Sequence, residues 1–179
     1  MDKRFNNLFN LTEDEAIAIL DTPQAQLKEG DSRYIAASHL INFSTERSIQ
    51  SLMQAVEAKD DTSLDNRIVR RKSVESLGKL QAAQALPVIR GCLPEADPLM
   101  VENAVWAIGE IGTTDAAILD EVAHQLDRDG QNYRVVIHTL AKLNHQSAMD
   151  KIRSFVEAED EPVASAAISA VCRFADDYA

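Results

Sequence analysis

Apolar residues recur along this chain at helical spacing, and the pattern is sharpest between residues 101 and 112. Val101, Ala104, Val105, Ile108 and Ile111 fall on one face of a helix. Asp97 stands in front as a capping residue, and Pro98 follows at a first-turn position. Gly112 ends the run with a residue free to take positive φ. The same pattern can be laid over 33–43, 70–80, 133–143 and 164–174. The five starts fall at 33, 70, 101, 133 and 164, so the steps are 37, 31, 32 and 31 residues. A helix recurring at that period marks a stacked helical-repeat array.

Each repeat also offers a second helix. Its apolar positions are Ile49, Leu52, Met53 and Val56 in the first repeat, and Leu86, Ile89 and Leu93 in the second. Leu119, Val122 and Leu126 follow in the third, and Met149, Ile152 and Val156 in the fourth. The links at 59–63, 94–97, 127–130 and 157–161 are short and polar, which suits antiparallel helix pairs without a domain boundary. The chain therefore reads as one domain over 1–179, with an arm and cap over 1–30 and repeats over 31–175. Thr12 and Glu15 have the spacing of a capping box, and the helix they open is expected to bury Ala16, Ile19 and Leu20. Ahead of it, Phe5, Leu8 and Phe9 could dock on the first repeat. The expected core comprises Ala36, Leu40, Leu52, Val74, Leu77, Ile89, Ala104, Ile108, Val122, Leu140, Ile152 and Ile168.

Stacking places equivalent residues in rows about 10 Å apart. One row is Tyr34, Arg71, Glu102, Arg134 and Ser165; another is Asn42, Lys79, Glu110, Lys142 and Arg173. Both alternate in charge across the middle repeats, which is what inter-repeat ion ladders need. Glu102 is expected to pair with Arg71 or Arg134, and Glu110 with Lys79 or Lys142. The alternative is that Arg71 and Arg134 grip the anionic groups of a ligand. Between the rows lie Ser38, Glu75, Trp106, His138 and Ser169. Trp106 points off the apolar stripe, either to anchor a ligand or to pack on the neighbouring repeat, and His138 lies beside it.

The fifth repeat has a first helix, from Pro162 to about Phe174, and no second one. Val171, Ile168 and Phe174 supply more apolar surface than the fourth repeat alone covers. The helix either caps the array itself or offers an interface, to a second subunit of the same kind or to a copy of the chain.

Composition narrows the field. The 179 residues are 45% hydrophobic but only 5% aromatic, which suits close helix packing better than a sheet sandwich. A net charge of −11 argues against nucleic acid and anionic lipid as ligands. No run of about 18 apolar residues is present, so no membrane insertion is expected. The first residues lack the apolar core of a secretion signal, and a cytoplasmic, reducing setting follows. Cys92 and Cys172 are expected to be small buried hydrophobes. His39, His124, His138 and His145 have no zinc-type spacing to one another, so no metal is expected. No nucleophile elbow, phosphate-binding loop or dinucleotide fingerprint occurs. Nothing in these residues by itself shows catalysis.

The helices at 33–40 and 70–80, the Leu86–Pro87–Val88–Ile89 start and the 101–112 stretch resemble the HEAT-like repeats of cyanobacterial phycobilisome lyases. The resemblance covers roughly residues 12–175. It implies an all-α fold, a right-handed α-α superhelix. Four two-helix repeats, a terminal half repeat and an N-terminal capping helix would make up the solenoid. It also implies a bilin lyase subunit, or a chaperone for bilin or phycobiliprotein. Lyases of the E/F type work as pairs of such subunits and attach an open-chain tetrapyrrole to a cysteine of an acceptor phycobiliprotein. The bilin would be a substrate and not a tightly bound cofactor. Its propionates and conjugated body would meet Arg71, Arg134, Trp106 and His138. Some relatives are non-enzymatic, so the alternative is a scaffold or adaptor, for example a partner of an A-type iron–sulfur carrier. Whether the chain is itself an enzyme stays open on this reading.

Overall fold

The computed structural model describes residues 10–59 and 63–176, with side chains given to residue 174. Phe5, Leu8 and Phe9 lie outside the described residues. Ten α-helices and no strand occur among the described residues. In chain order they are α1 (Glu13–Asp21), α2 (Arg33–His39), α3 (Glu46–Glu57), α4 (Leu64–Lys79) and α5 (Leu86–Arg90). Then come α6 (Pro98–Ile111), α7 (Ala116–His124), α8 (Tyr133–Lys142), α9 (Met149–Arg153) and α10 (Glu161–Asp176). The chain divides between Ile89 and Arg90 into two compact units.

In the first unit, α1 begins with the expected capping box. Glu15 accepts the Thr12 backbone N–H at 2.8 Å, and Thr12 Oγ1 accepts the Glu15 N–H at 3.3 Å. Ala16 and Leu20 are buried, whereas Ile19 is half-buried and lines a cavity described below. Arginines fasten the ends of helices. Arg33 Nε donates to the Leu20 carbonyl at 2.9 Å, and Arg70 Nε donates to the Val56 carbonyl at 2.8 Å. Those carbonyls belong to the last turns of α1 and α3, where no intrahelical partner remains and a cation is favoured. Arg70 is only 1% exposed, so its cost of burial is offset by such bonds.

The second unit repeats the device. Arg128 Nη1 donates to the Leu93 carbonyl and Nη2 to the Glu95 carbonyl, both at 2.7 Å, at the end of the turn after α5. Helices α6, α8 and α10 are successive first helices and pack side by side. A Cβ placed on Gly109 would lie 3.0 Å from Thr139 Oγ1, so the close approach of α6 and α8 depends on that glycine. Thr139 Oγ1 donates to the Val105 carbonyl at 3.3 Å. In the first unit, Ser76 Oγ donates in the same way to the Ala37 carbonyl of α2 at 2.8 Å.

Eleven of the twelve expected core residues are buried; the exception is Ile168, at 48% exposure. Cys92 is buried as expected, but Cys172 is exposed. Three of the four second helices, α5, α7 and α9, are shorter than their apolar spacing suggested. Helix α5 stops at Arg90, before Gly91 and Pro94, and Leu93 is buried from the turn that follows. Helix α9 likewise stops at Arg153. Three first helices, α4, α6 and α8, end where a residue adopts positive φ: Gln81 at 50°, Gly112 at 82° and Asn144 at 53°.

Candidate functional site

The four residues expected to meet a ligand sit on three first helices. Arg71 is half-buried on α4, in the first unit. Trp106 is half-buried on α6, and Arg134 and His138 are exposed on α8. Beside the Thr139 contacts, an ion pair of Lys142 Nζ with Glu110 Oε1 at 2.8 Å marks the register of α6 against α8. One helical turn back from that pair are Trp106 and His138. A further turn back are Glu102 and Arg134. The α6–α8 surface therefore carries an aromatic ring, an imidazole and a guanidinium along one edge.

The expected ladders are only partly built. Glu110 pairs with Lys142, but no ion pair joins Glu102 to Arg134 among the described residues. Lys79 pairs within its own helix, with Glu75 at 2.5 Å. Lys72 also bonds Glu75 and lies 5.0 Å from the centre of the Tyr34 ring. Burial on its own would raise the Glu75 pKa, but the hydrogen bonds from Lys72 and Lys79 outweigh it and hold the carboxyl below its ordinary value. The i,i+4 arrangement on α4 thus competes with the inter-repeat one, which row arithmetic could not detect.

Three other clusters were not expected from the sequence. Arg90 holds Glu121 through two bonds, at 2.9 and 2.6 Å, and this bonding keeps the Glu121 carboxyl below the usual range. Asp127 is lowered in the same sense, first by its bond from Lys151 at 2.7 Å and then, after a smaller opposing effect of burial, by His124 at 3.0 Å. His145 Nε2 meets both Asp120 Oδ1 at 2.9 Å and Ser147 Oγ at 2.8 Å. A proton relay needs the acid and the nucleophile on opposite ring nitrogens, so this trio is a tie between segments. No group of three or more His, Cys, Asp or Glu residues is arranged to hold a metal ion among the described residues. A cavity of about 320 Å³ opens in the first unit beside α1, lined in part by Leu11, Glu15, Ile19, Leu27 and Lys28. None of the four expected ligand residues lines it.

Of the three residues expected at an interface, Ile168 is exposed and Val171 is half-buried on α10. Phe174 is not available: it is 0% exposed.

Helix pairs in tandem with buried first helices define an α-α repeat protein, and a family profile described as HEAT repeats matches residues 62–126. The chain therefore contains HEAT repeats and is similar to proteins named for phycocyanin and bilin biosynthesis. It is 61% identical over 178 residues to phycocyanin operon protein Y of Pseudanabaena tenuis, covering 99% of this chain and 42% of that protein. It is 33% identical over 145 residues to the bilin biosynthesis protein CpeY of a Synechococcus, covering 81% of this chain and 35% of that one. The chain thus spans less than half the length of these curated relatives. Among solved structures, it is similar to the complex of CpcE and CpcF of phycocyanin lyase from Nostoc. The TM-score is 0.79 at 26% identity, over 93% of this chain and 66% of that chain. A designed armadillo repeat protein matches at TM-score 0.59 and 18% identity, over 89% of this chain and 81% of that one, which shows the fold alone.

Proposed function

We propose that this chain is a bilin-lyase-type HEAT-repeat module, which orients an open-chain tetrapyrrole toward a phycobiliprotein acceptor. The observation that carries this is the match to a bilin biosynthesis protein over 81% of the chain. The likeness to the CpcE–CpcF complex supports it and favours a protein partner, such as a phycobiliprotein or a second HEAT-type subunit. The adaptor role with an iron–sulfur carrier draws no support from these relatives.

A bilin presents two carboxylates on a flat conjugated body. Arg134 offers a planar, permanently charged fork for one of them, Trp106 an aromatic wall, and His138 a group that can share a proton with the tetrapyrrole nitrogens. The thiol that forms the bond to bilin would come from the acceptor, so the module's contribution is orientation and protonation. Such work belongs in the cytoplasm; no helix is long and apolar enough to cross a membrane among the described residues.

Titration of the protein with phycocyanobilin, followed by visible absorption, tests the reading. A shifted and intensified long-wavelength band is expected. Arg134→Gln should weaken binding roughly tenfold, as loss of a charge-assisted hydrogen bond does. An unchanged bilin spectrum, with and without phycobiliprotein acceptor, would end it.

A further inference from the structure

On the α6–α8 surface some polar groups are engaged and others are left over. Toward the carboxy-terminal ends of the two helices the contact is closed. Thr139 Oγ1 donates to the Val105 carbonyl, and Lys142 pairs with Glu110 at 2.8 Å. Asn103 is engaged within α6, where its Nδ2 donates to the Leu99 carbonyl at 2.9 Å. Glu102, Trp106, Arg134 and His138 make no hydrogen bond or ion pair among the described residues. Glu102 and Arg134 are 32 residues apart, as Glu110 and Lys142 are, so the same register holds one closed pair and one open pair.

The position of Glu102 around α6 decides what surrounds its carboxylate. Leu99, Glu102 and Trp106 are spaced i, i+3, i+7 and share one face of the helix. Leu99 is 52% exposed, whereas Glu102 and Trp106 are half-buried. An acid therefore stands between two apolar side chains, within about a turn of each. A flat body laid against Trp106 and Leu99 covers Glu102 as well and takes its charge out of water. Such burial is costly unless the body itself brings N–H donors and a positive charge.

We infer that Glu102 receives the ring nitrogens of the tetrapyrrole, and that the bilin is held there in its protonated, cationic form. The inference rests on the bilin reading above and names the form of the bilin that the site selects. The neutral bilin has three N–H groups and one bare nitrogen. A proton from solvent on that nitrogen turns all four into donors and spreads a positive charge over the conjugated system. A carboxylate accepts such N–H groups in charge-assisted hydrogen bonds. The two groups that do not close on each other then divide the ligand between them: Arg134 takes a propionate, and Glu102 takes the opposite charge carried by the rings.

The test uses the whole chain with phycocyanobilin and with its dimethyl ester, which keeps the nitrogens and has no carboxylate. Protonation moves the long-wavelength band of a conjugated tetrapyrrole to the red. Band position therefore reads the protonation state, and the titration midpoint reads affinity. Glu102→Gln should return the band toward that of the neutral bilin and weaken binding about tenfold, with either compound. Glu102→Asp, which keeps the charge, should keep most of the red shift. Arg134→Gln should weaken binding of the free acid and not of the ester. Circular dichroism should show the variants as helical as wild type. Wild type should also take up a proton for each bilin bound in weakly buffered, mildly alkaline solution, a measurement that needs no variant. A band that Glu102→Gln leaves where wild type has it, or binding without proton uptake, would overturn the inference while the bilin reading stands. A wild-type titration without spectral change would end both.

Discussion

Arg70 has the least room for substitution of any charged residue described here. Its guanidinium is enclosed, and its Nε holds the Val56 carbonyl at the end of α3. Arg70→Met keeps much of the volume but leaves that acceptor without its donor, which should cost about 1–3 kcal/mol of stability in urea unfolding. A variant within about 0.5 kcal/mol of wild type would show that the arginine does not hold the helix end. Glu75 gives a pH dependence whose sign can be worked out. Its carboxyl is held below the ordinary 4.5, with burial opposing and two lysine hydrogen bonds prevailing. A depressed folded pKa adds stability above the unfolded value, and that stability is lost as pH falls through the folded one. Unfolding free energy measured from pH 7 downward should therefore fall more steeply below about pH 4.5 in wild type than in Glu75→Gln.

At the scale of elements, the ends of α4 and α8 are alike although their residues differ. In both Gln81 and Asn144 the backbone enters the left-handed region, and the next amide bonds back into the helix. Ala82 N–H reaches the Leu77 carbonyl at 3.1 Å, and His145 N–H reaches the Leu140 carbonyl at 2.9 Å. Glycine takes this conformation without penalty and asparagine at little cost, whereas in glutamine it is strained. Gln81→Gly should therefore raise stability by about 1 kcal/mol, seen as a higher urea midpoint with an unchanged slope. A loss of stability would mean that the Gln81 side chain contributes more than its backbone conformation costs. These ends also explain what could be read in advance. Gly112 announced itself as a terminator, and the i, i+3, i+4, i+7 spacing of Val101, Ala104, Val105 and Ile108 located α6. The stops of α5 and α9 could not be read in the same way. Leu93 and Val156 continue the helical spacing, yet a turn can carry a leucine into the core as well as a helix can.

Across the whole molecule, the period of 31 or 32 residues made the fold legible, because one supersecondary unit restated several times averages out local ambiguity. The site was less legible. Row arithmetic found the Glu110–Lys142 pair, but it could not foresee that Glu75 would draw both Lys72 and Lys79 within α4. Nor could it place Phe174, whose ring turns inward while Ile168 turns out. A periodic pattern specifies which face of a helix is apolar, but not how that surface divides between two neighbours. For the same reason the cavity beside α1 left no mark in the sequence; its wall combines a helix with an irregular segment that shares no repeat.

The arginine fasteners carry a direction along the chain. Arg33 secures a carbonyl 13 residues before it, Arg70 one 14 residues before it, and Arg128 one 35 residues before it. In each case the fastened helix end is made first and its fastener arrives later. During synthesis, when amino-terminal segments emerge ahead of the rest, α1 can coil as soon as it appears, but its last turn stays frayed until Arg33 has left the ribosome. The same delay applies to α3 and Arg70, and to the end of the turn after α5 and Arg128. The growing polypeptide therefore fastens these ends behind it as it advances, and a pause in translation after such an end has emerged and before its arginine has left the ribosome would leave that end open.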